Sequence, residues 1–192
     1  MTDSCDIPPE GWQCSREKGH EGPCAATATR RKLIRPESNC PSFVVYKENL
    51  HRVLDEAKEM MRLIDTKDFE GHYKDAMALA HCQVFRTPLS FFVVNKEAAK
   101  TLGGRVIVNP HVKGLFGQNV KMLEACMSFP YHKPAKLERC KGAVVEYELP
   151  FLGRFLRKKR IAVEGVLAEM FQHECEHFVG MSPYHRESIT TK

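Results

Sequence analysis

His173 and His177 stand four residues apart in the stretch Gln172-His173-Glu174-Cys175-Glu176-His177-Phe178-Val179-Gly180. On a helix this spacing stacks the two imidazoles on one face, where they can bind one metal ion while Glu174 projects beside them. Two imidazole ligands and an adjacent carboxylate are the parts of a hydrolytic metal site: groups that hold the ion and a group that moves a proton. The same HExxH pattern also fits a plain amphipathic helix. A third ligand and donors for an oxyanion would separate the two readings.

The chain has 192 residues, enough for one globular domain with a sizeable core and a short appendage, and too few for two full domains. With 43% hydrophobic and 28% charged residues it reads as a soluble protein, and no apolar run is long enough to cross a bilayer. Met1-Thr2-Asp3-Ser4-Cys5-Asp6 has neither the basic segment nor the apolar core of a secretory signal, so a cytoplasmic location and no membrane partner are expected. The net charge of +5 is mild, and its basic residues gather in Arg30-Arg31-Lys32 and in residues 154–160. Such runs are solvated loops or contacts with the ribosome or another nucleic acid; nothing in them points to specific DNA recognition. Eight cysteines in a chain without a signal peptide point to thiols or metal ligands rather than disulfides.

Three regions follow. Residues 1–30 are rich in Gly and Pro and cannot build a core, but Cys5, Cys14, His20 and Cys24 could surround a structural Zn²⁺ whose binding would supply the folding energy; free thiols on a tail are the alternative. Residues 31–44 read as a linker bounded by Pro36 and Pro41. Residues 45–192 form the main domain. Within it, Leu50, Val53, Leu54, Ala57, Met60, Met61 and Ile64 recur at helical steps. The small residues of 75–85 would let one backbone lie close to another surface, and strands are predicted at 89–94 and at 105–110, the latter stopping at Pro110. Residues 120–123 would continue the sheet, and a strand pair at 140–149 and 159–163 would be joined by the basic stretch. A second helix is predicted over 163–178, and Pro183 argues against any helix beyond it.

Three segments together resemble the peptide deformylase family, in the family's order. Gln172-His173-Glu174 with His177 and Gly180 is similar to its third motif, Glu124-Ala125-Cys126-Met127-Ser128 to its second, and Ala78-Leu79-Ala80-His81-Cys82-Gln83 to its first. The resemblance spans about residues 45–181, and Asn109-Pro110, Arg139, Gly165 and Ala168 also fall where the family has similar residues. It implies an α+β fold in which antiparallel strands surround a central helix carrying His173 and His177. It further implies hydrolysis of the N-formyl group from the formyl-methionine of nascent polypeptides, in the cytoplasm of a bacterial or phage-infected cell.

On this resemblance Cys126 as thiolate joins His173 and His177 as the third metal ligand, leaving one position open. The ion is ferrous in the family's native form, with zinc, nickel or cobalt able to replace it, and one thiolate with two imidazoles suits any of these. Glu174 would act as general base and then acid, while the backbone N–H of Met127 and the amide of Gln83 would stabilise the oxyanion. Met77, Met122 and Met170, with Ala78, could line a pocket for the methionine side chain, or the methionines could be ordinary core.

Four features depart from the family pattern. Ala76 and Ala78 replace glycines along the expected peptide edge, Ala125 replaces the glycine before Cys126, and Glu176 replaces an aspartate. The Cys126-to-His173 spacing is long, with the excess expected in residues 151–160. These departures, the short C-terminal end and the N-terminal element suggest a phage-encoded version. They also leave two rivals standing, a metallopeptidase or amidase with another substrate, and a catalytically altered metal-binding or ribosome-associated protein.

Overall fold

A computed structural model of the chain describes residues 12–14, 26–28, 32–36, 42–70 and 75–190. Cys5, His20 and Cys24 of the expected zinc element lie outside these residues, as does the side chain of Cys14. Cys14 closes a short strand, β1 (Trp12–Cys14), paired antiparallel with β2 (Ala26–Ala28).

The main domain is a five-stranded antiparallel sheet with a helix on each face. The strands are β3 (Ala78–Ala80), β4 (Phe91–Val94), β5 (Val106–Glu124), β6 (Ala135–Phe151) and β7 (Phe155–Glu164), side by side in chain order. Strand β4 shows how the core is divided. All four of its residues are buried, and because side chains alternate across a strand, Phe91 and Val93 face one cluster while Phe92 and Val94 face the other. The first cluster is closed by α1 (Leu50–Thr66), which buries Leu50, Val53, Ala57, Met60, Leu63 and Ile64 at helical spacing and ends at Lys67 in a left-handed conformation. The second is closed by α3 (Val166–His177), which brings Ala168, Met170 and Phe171 against Ile107, Val145 and Val163. The helix bearing the two histidines is therefore packed along its apolar stripe against a sheet, which fixes where its other face points.

Several expectations are corrected. The strand at 105–110 does not stop at Pro110 but continues to Glu124. Pairing with β6 shifts register between Val108 and His111, and there Asn109 adopts φ 46° while its N–H bonds to the Ser90 carbonyl at 2.7 Å. A proline in such a bulge has no ladder N–H to lose. The basic stretch is not a connection either: Arg157 to Arg160 lie within β7, paired residue by residue with β6, and the turn is made by 152–154, where Leu152 and Gly153 have positive φ. This long β6–β7 hairpin lies between Cys126 and His173. Between β4 and β5 the sequence reading missed α2 (Lys96–Leu102), although its signals were present: Asn95 Oδ1 accepts the Ala98 N–H, and Gly103 ends the helix at φ 85°. A fourth helix, α4 (Pro183–Thr190), follows where none was expected. Pro183 is its first residue, a position whose N–H needs no helical partner, and Ser182 Oγ accepts the His185 N–H at 3.5 Å.

The expected linker contributes to the domain. Leu33 is buried in the α1 cluster, and the Ile34 N–H donates to the Gln83 carbonyl at 2.7 Å. Among the described residues no helix is long and apolar enough to cross a membrane.

Candidate metal centre

Cys126 lies in the loop that follows β5, and α3 presents His173 and His177 opposite it. One ligand atom from each of the three falls within 4.8 Å of the others. Cys126 Sγ is 3.5 Å from His177 Nε2, and the imidazoles meet nearly edge to face, their centroids 4.6 Å apart at 84°. Bonds of roughly 2.1–2.3 Å to a tetrahedral ion require ligand atoms about 3.5 Å apart, so the spacing fits a Cys-His-His site with one position left open.

The histidines are held from behind. His177 Nδ1 lies 2.8 Å from the Met181 carbonyl, and His173 Nδ1 lies 2.9 Å from Glu124 Oε2. Both acceptors call for a proton on Nδ1, which leaves each Nε2 lone pair for an ion. Glu124 is fixed in turn by Arg139, whose Nε and Nη2 donate to its two oxygens at 2.6 and 2.9 Å. Arg139 is 1% exposed on β6 and also grips Glu176. Glu176 thus does not touch a ligand histidine; it acts through Arg139 and Glu124, and Arg186 of α4 also bonds to it.

Burial opposes the charged form of His173, but the Cys126 sulfur and the Glu124 carboxylate outweigh it and hold its pKa well above the usual value. Burial, with the charge at His173, depresses His177 to about 3. A divalent ion would take the place of the His173 proton, as ligand sites release protons when metal binds. Glu174, 5% exposed, points one oxygen, Oε2, into the interior without a hydrogen-bond partner among the described residues. Burial pushes its carboxyl up to about 7, with the charge at His173 opposing the rise and that of Glu124 adding to it. A buried carboxylate oxygen that no protein group satisfies is suited to accept a hydrogen bond from a bound molecule.

Gln83 sits in a single 3-10 turn, His81–Gln83, directly after β3. Its Oε1 accepts the Ala80 N–H at 2.8 Å, which aims its Nε2 at Ser128 Oγ (3.0 Å) and at Cys126 Sγ (3.5 Å). Ser128 Oγ donates onward to the Ile34 carbonyl at 2.6 Å.

A cavity of about 460 Å³ opens beside this cluster. Gln83, Met127, His173 and Glu174 line it, with Met77, Ala78 and Met170 of the expected pocket, and Ala76 and Ala125 do too. All three alanines that the sequence places at expected glycine positions therefore border this space. Met122 is a correction. It lies two residues before Glu124, opposite Leu137 on β6, and lines a separate depression with Lys121 and Glu138. Leu123 lines the cavity instead.

The roles of Glu124, Arg139, Ser128 and Glu169 were not read from the sequence. Arg139 left a signal: it occupies an inward position of β6, in step with Ala135 and Leu137, and an inward arginine demands carboxylates. Glu169 lines the cavity one helical turn before His173, and burial, together with the charge of Glu124, raises its pKa.

Residues 31–191 match the family model described as polypeptide deformylase. No curated protein sequence matches the chain. Among solved structures, a Plasmodium falciparum peptide deformylase in complex with inhibitor aligns at 20% identity over 83% of this chain and 94% of its own, with TM-score 0.60. A Thermotoga maritima peptide deformylase aligns at 22% over 83% and 98%, with TM-score 0.60. One from Synechococcus elongatus in complex with actinonin aligns at 22% over 79% and 75%, with TM-score 0.62. At such identities these neighbours speak for the fold.

Proposed function

The chain belongs to the polypeptide deformylase family, and we propose that it removes the formyl group from the N-terminal formyl-methionine of nascent polypeptides with a divalent metal held by Cys126, His173 and His177. The observation that carries this reading is the convergence of those three side chains with a buried, unpartnered Glu174 oxygen on one cavity. When bound, the metal would supply Lewis-acid chemistry and lower the pKa of a water molecule.

The remaining steps belong to the chain's own groups. Glu174 takes the proton of the attacking water and returns one to the departing amine, roles suited to a carboxyl poised near neutrality by burial. As the formyl carbonyl becomes tetrahedral, its oxygen gains charge, which the Gln83 amide and the Met127 N–H would stabilise. Gln83 is preorganised for this because Ala80 and Ser128 fix both ends of its amide. Glu124 keeps the His173 ring in place. The one-thiolate, two-imidazole set suits ferrous iron, zinc, nickel or cobalt.

The test is an assay of purified protein loaded with Fe²⁺ or Ni²⁺ on formyl-Met-Ala-Ser. Release of formate is expected, and no turnover at full metal occupancy would overturn the reading. Cleavage of internal peptide bonds without formate release would favour a metallopeptidase. Ribosome contact remains a proposal that rests on the exposed basic residues of β7; co-sedimentation with ribosomes at two salt concentrations checks it.

A further inference from the structure

The three side chains of the candidate metal centre come from a loop and from α3, yet each of them leads to α4. Met181, whose carbonyl holds His177 Nδ1 at 2.8 Å, precedes that helix by two residues. Phe129, whose N–H donates to the Cys126 carbonyl at 2.9 Å, packs its ring against Tyr184 of α4 with centroids 4.7 Å apart. His173 is reached by a longer path. Arg186 Nη1 donates to Glu176 Oε1, Glu176 is gripped by Arg139, Arg139 holds Glu124, and Glu124 bonds to His173 Nδ1. Side-chain exposure falls along it from 40% at Arg186 to 13% at Glu176 and none at Arg139, so a cation at the solvent side is joined to a buried network.

Glu176 Oε1 accepts from both guanidiniums, and Arg139 divides its donors between Glu176 and Glu124. A second cation on Glu176 fixes the carboxylate that the Arg139 fork must meet, and the fork then sets Glu124 and the His173 ring. We propose that Arg186 is a positioning residue for the metal centre, acting through Glu176, Arg139 and Glu124 on His173, with α4 as the latch that carries it. This inference rests on the metal-binding part of the proposed function and not on the identity of the substrate. Two effects of Arg186 on a bound cation have opposite signs. Its charge repels the ion, so through-space electrostatics alone would make binding tighter when Arg186 is removed. Its grip orients a ligand, so loss of orientation makes binding weaker. Solvent at the half-exposed Arg186 screens the repulsion, and the second effect prevails.

The Co²⁺ affinity of the full chain is measured by competition with a chelator, and the visible absorption of the Co²⁺ form records the ligand geometry. Arg186→Ala is expected to weaken Co²⁺ binding about three- to tenfold and to shift the absorption bands. Arg186→Lys should recover most of the loss, and in a Glu176→Gln background Arg186→Ala should add nothing, because the partner it acts through is already changed. Unchanged or tighter binding in Arg186→Ala, an unchanged spectrum, or a loss that persists in full in the Glu176→Gln protein overturns the inference. If the wild type releases formate from formyl-Met-Ala-Ser and Arg186→Ala binds Co²⁺ equally well, the deformylase reading stands and the role of Arg186 fails. If no formate is released but Co²⁺ affinity follows residue 186, the reverse holds.

Discussion

Glu176 holds Arg139 through both of its oxygens, at 2.6 and 2.9 Å, although it stands on the same helix as the two histidines and follows Glu174 by only two residues. The bond couples α3 to β6 through a guanidinium that has no solvent exposure in its side chain. Arg139 then passes the constraint to Glu124 and so to His173.

Removing Arg139 would leave two carboxylates, Glu124 and Glu176, facing each other in a poorly solvated site without the guanidinium between them, each keeping one partner, His173 and Arg186. Arg139→Ala is expected to lose about 3–5 kcal/mol of stability, the range for breaking a buried pair by deleting one partner. Arg139→Lys keeps the charge but not the fork, and should weaken metal binding about 10- to 100-fold with less loss of stability. Denaturant unfolding and competition with a metal chelator would check the two effects. Equal metal affinity in wild type and Arg139→Lys would show that the fork does not orient His173.

Glu174→Gln separates catalysis from folding. The carboxyl is raised from its ordinary value to about 7, so the charged form is disfavoured in the folded protein and stability is lost as pH rises from about 4.5 through 7. Replacing it with a neutral amide should therefore stabilise the metal-free protein at pH 8 by about 1–3 kcal/mol while lowering turnover of the loaded protein by about 10²-fold or more. Thermal unfolding of the two metal-free proteins at pH 5 and pH 8 measures the first effect. A gain in stability that is the same at both pH values would contradict it.

What the sequence disclosed and what it hid have a common physical basis. Local signals were legible: the stripe of α1, the two histidines one turn apart on α3, and the aromatic and β-branched run of β4. The motif residues Gln83, Cys126 and Met127 could be named because their order along the chain matched a known pattern. Partners set by tertiary geometry could not. Glu176 was legible only as a replacement for an aspartate, while its partner Arg139 lies 37 residues away on β6. Pro110 and Pro183 looked like terminators, yet one occupies a bulge and the other begins a helix, two places where a missing N–H costs nothing. Leu33 and Ile34 looked like linker because one buried side chain beside one residue that bonds to two separate loops leaves no periodic signal.

His81 should make stability fall on acidification. Its Nδ1 accepts the Leu89 N–H at 2.9 Å, so its proton sits on Nε2, which lies 2.8 Å from Glu56 Oε2. Protonating Nδ1 would set two donors against each other in a site packed by Phe85 and Phe91. Burial accordingly lowers its pKa from 6.5 to about 4, against the opposing charge of Glu56. The stabilisation is complete above pH 6.5 and is lost as pH falls towards 4, up to about 3 kcal/mol. Urea unfolding at pH 7.5 and pH 5 should show a steeper fall for wild type than for His81→Gln. Parallel falls would place the pH sensitivity elsewhere.

Ser128 joins the candidate oxyanion donor to Ile34 in the segment that precedes α1. Its hydroxyl accepts from Gln83 Nε2 at 3.0 Å and donates to the Ile34 carbonyl at 2.6 Å, while the Ile34 N–H reaches the Gln83 carbonyl. Ser128→Ala deletes both bonds, leaving the part-buried Ile34 carbonyl without its hydroxyl donor and Gln83 Nε2 with Cys126 Sγ alone, at a cost of about 1–3 kcal/mol. Gln83 then loses the contact that aims its amide, although Ala80 still holds its oxygen. Because the donor acts on charge that develops only as the carbonyl is attacked, kcat should fall about tenfold with KM little changed. A rise in KM at constant kcat would instead assign Ser128 to ground-state binding, and Ser128→Thr, which keeps the hydroxyl, should recover most of the lost rate if the bond to Gln83 is what matters.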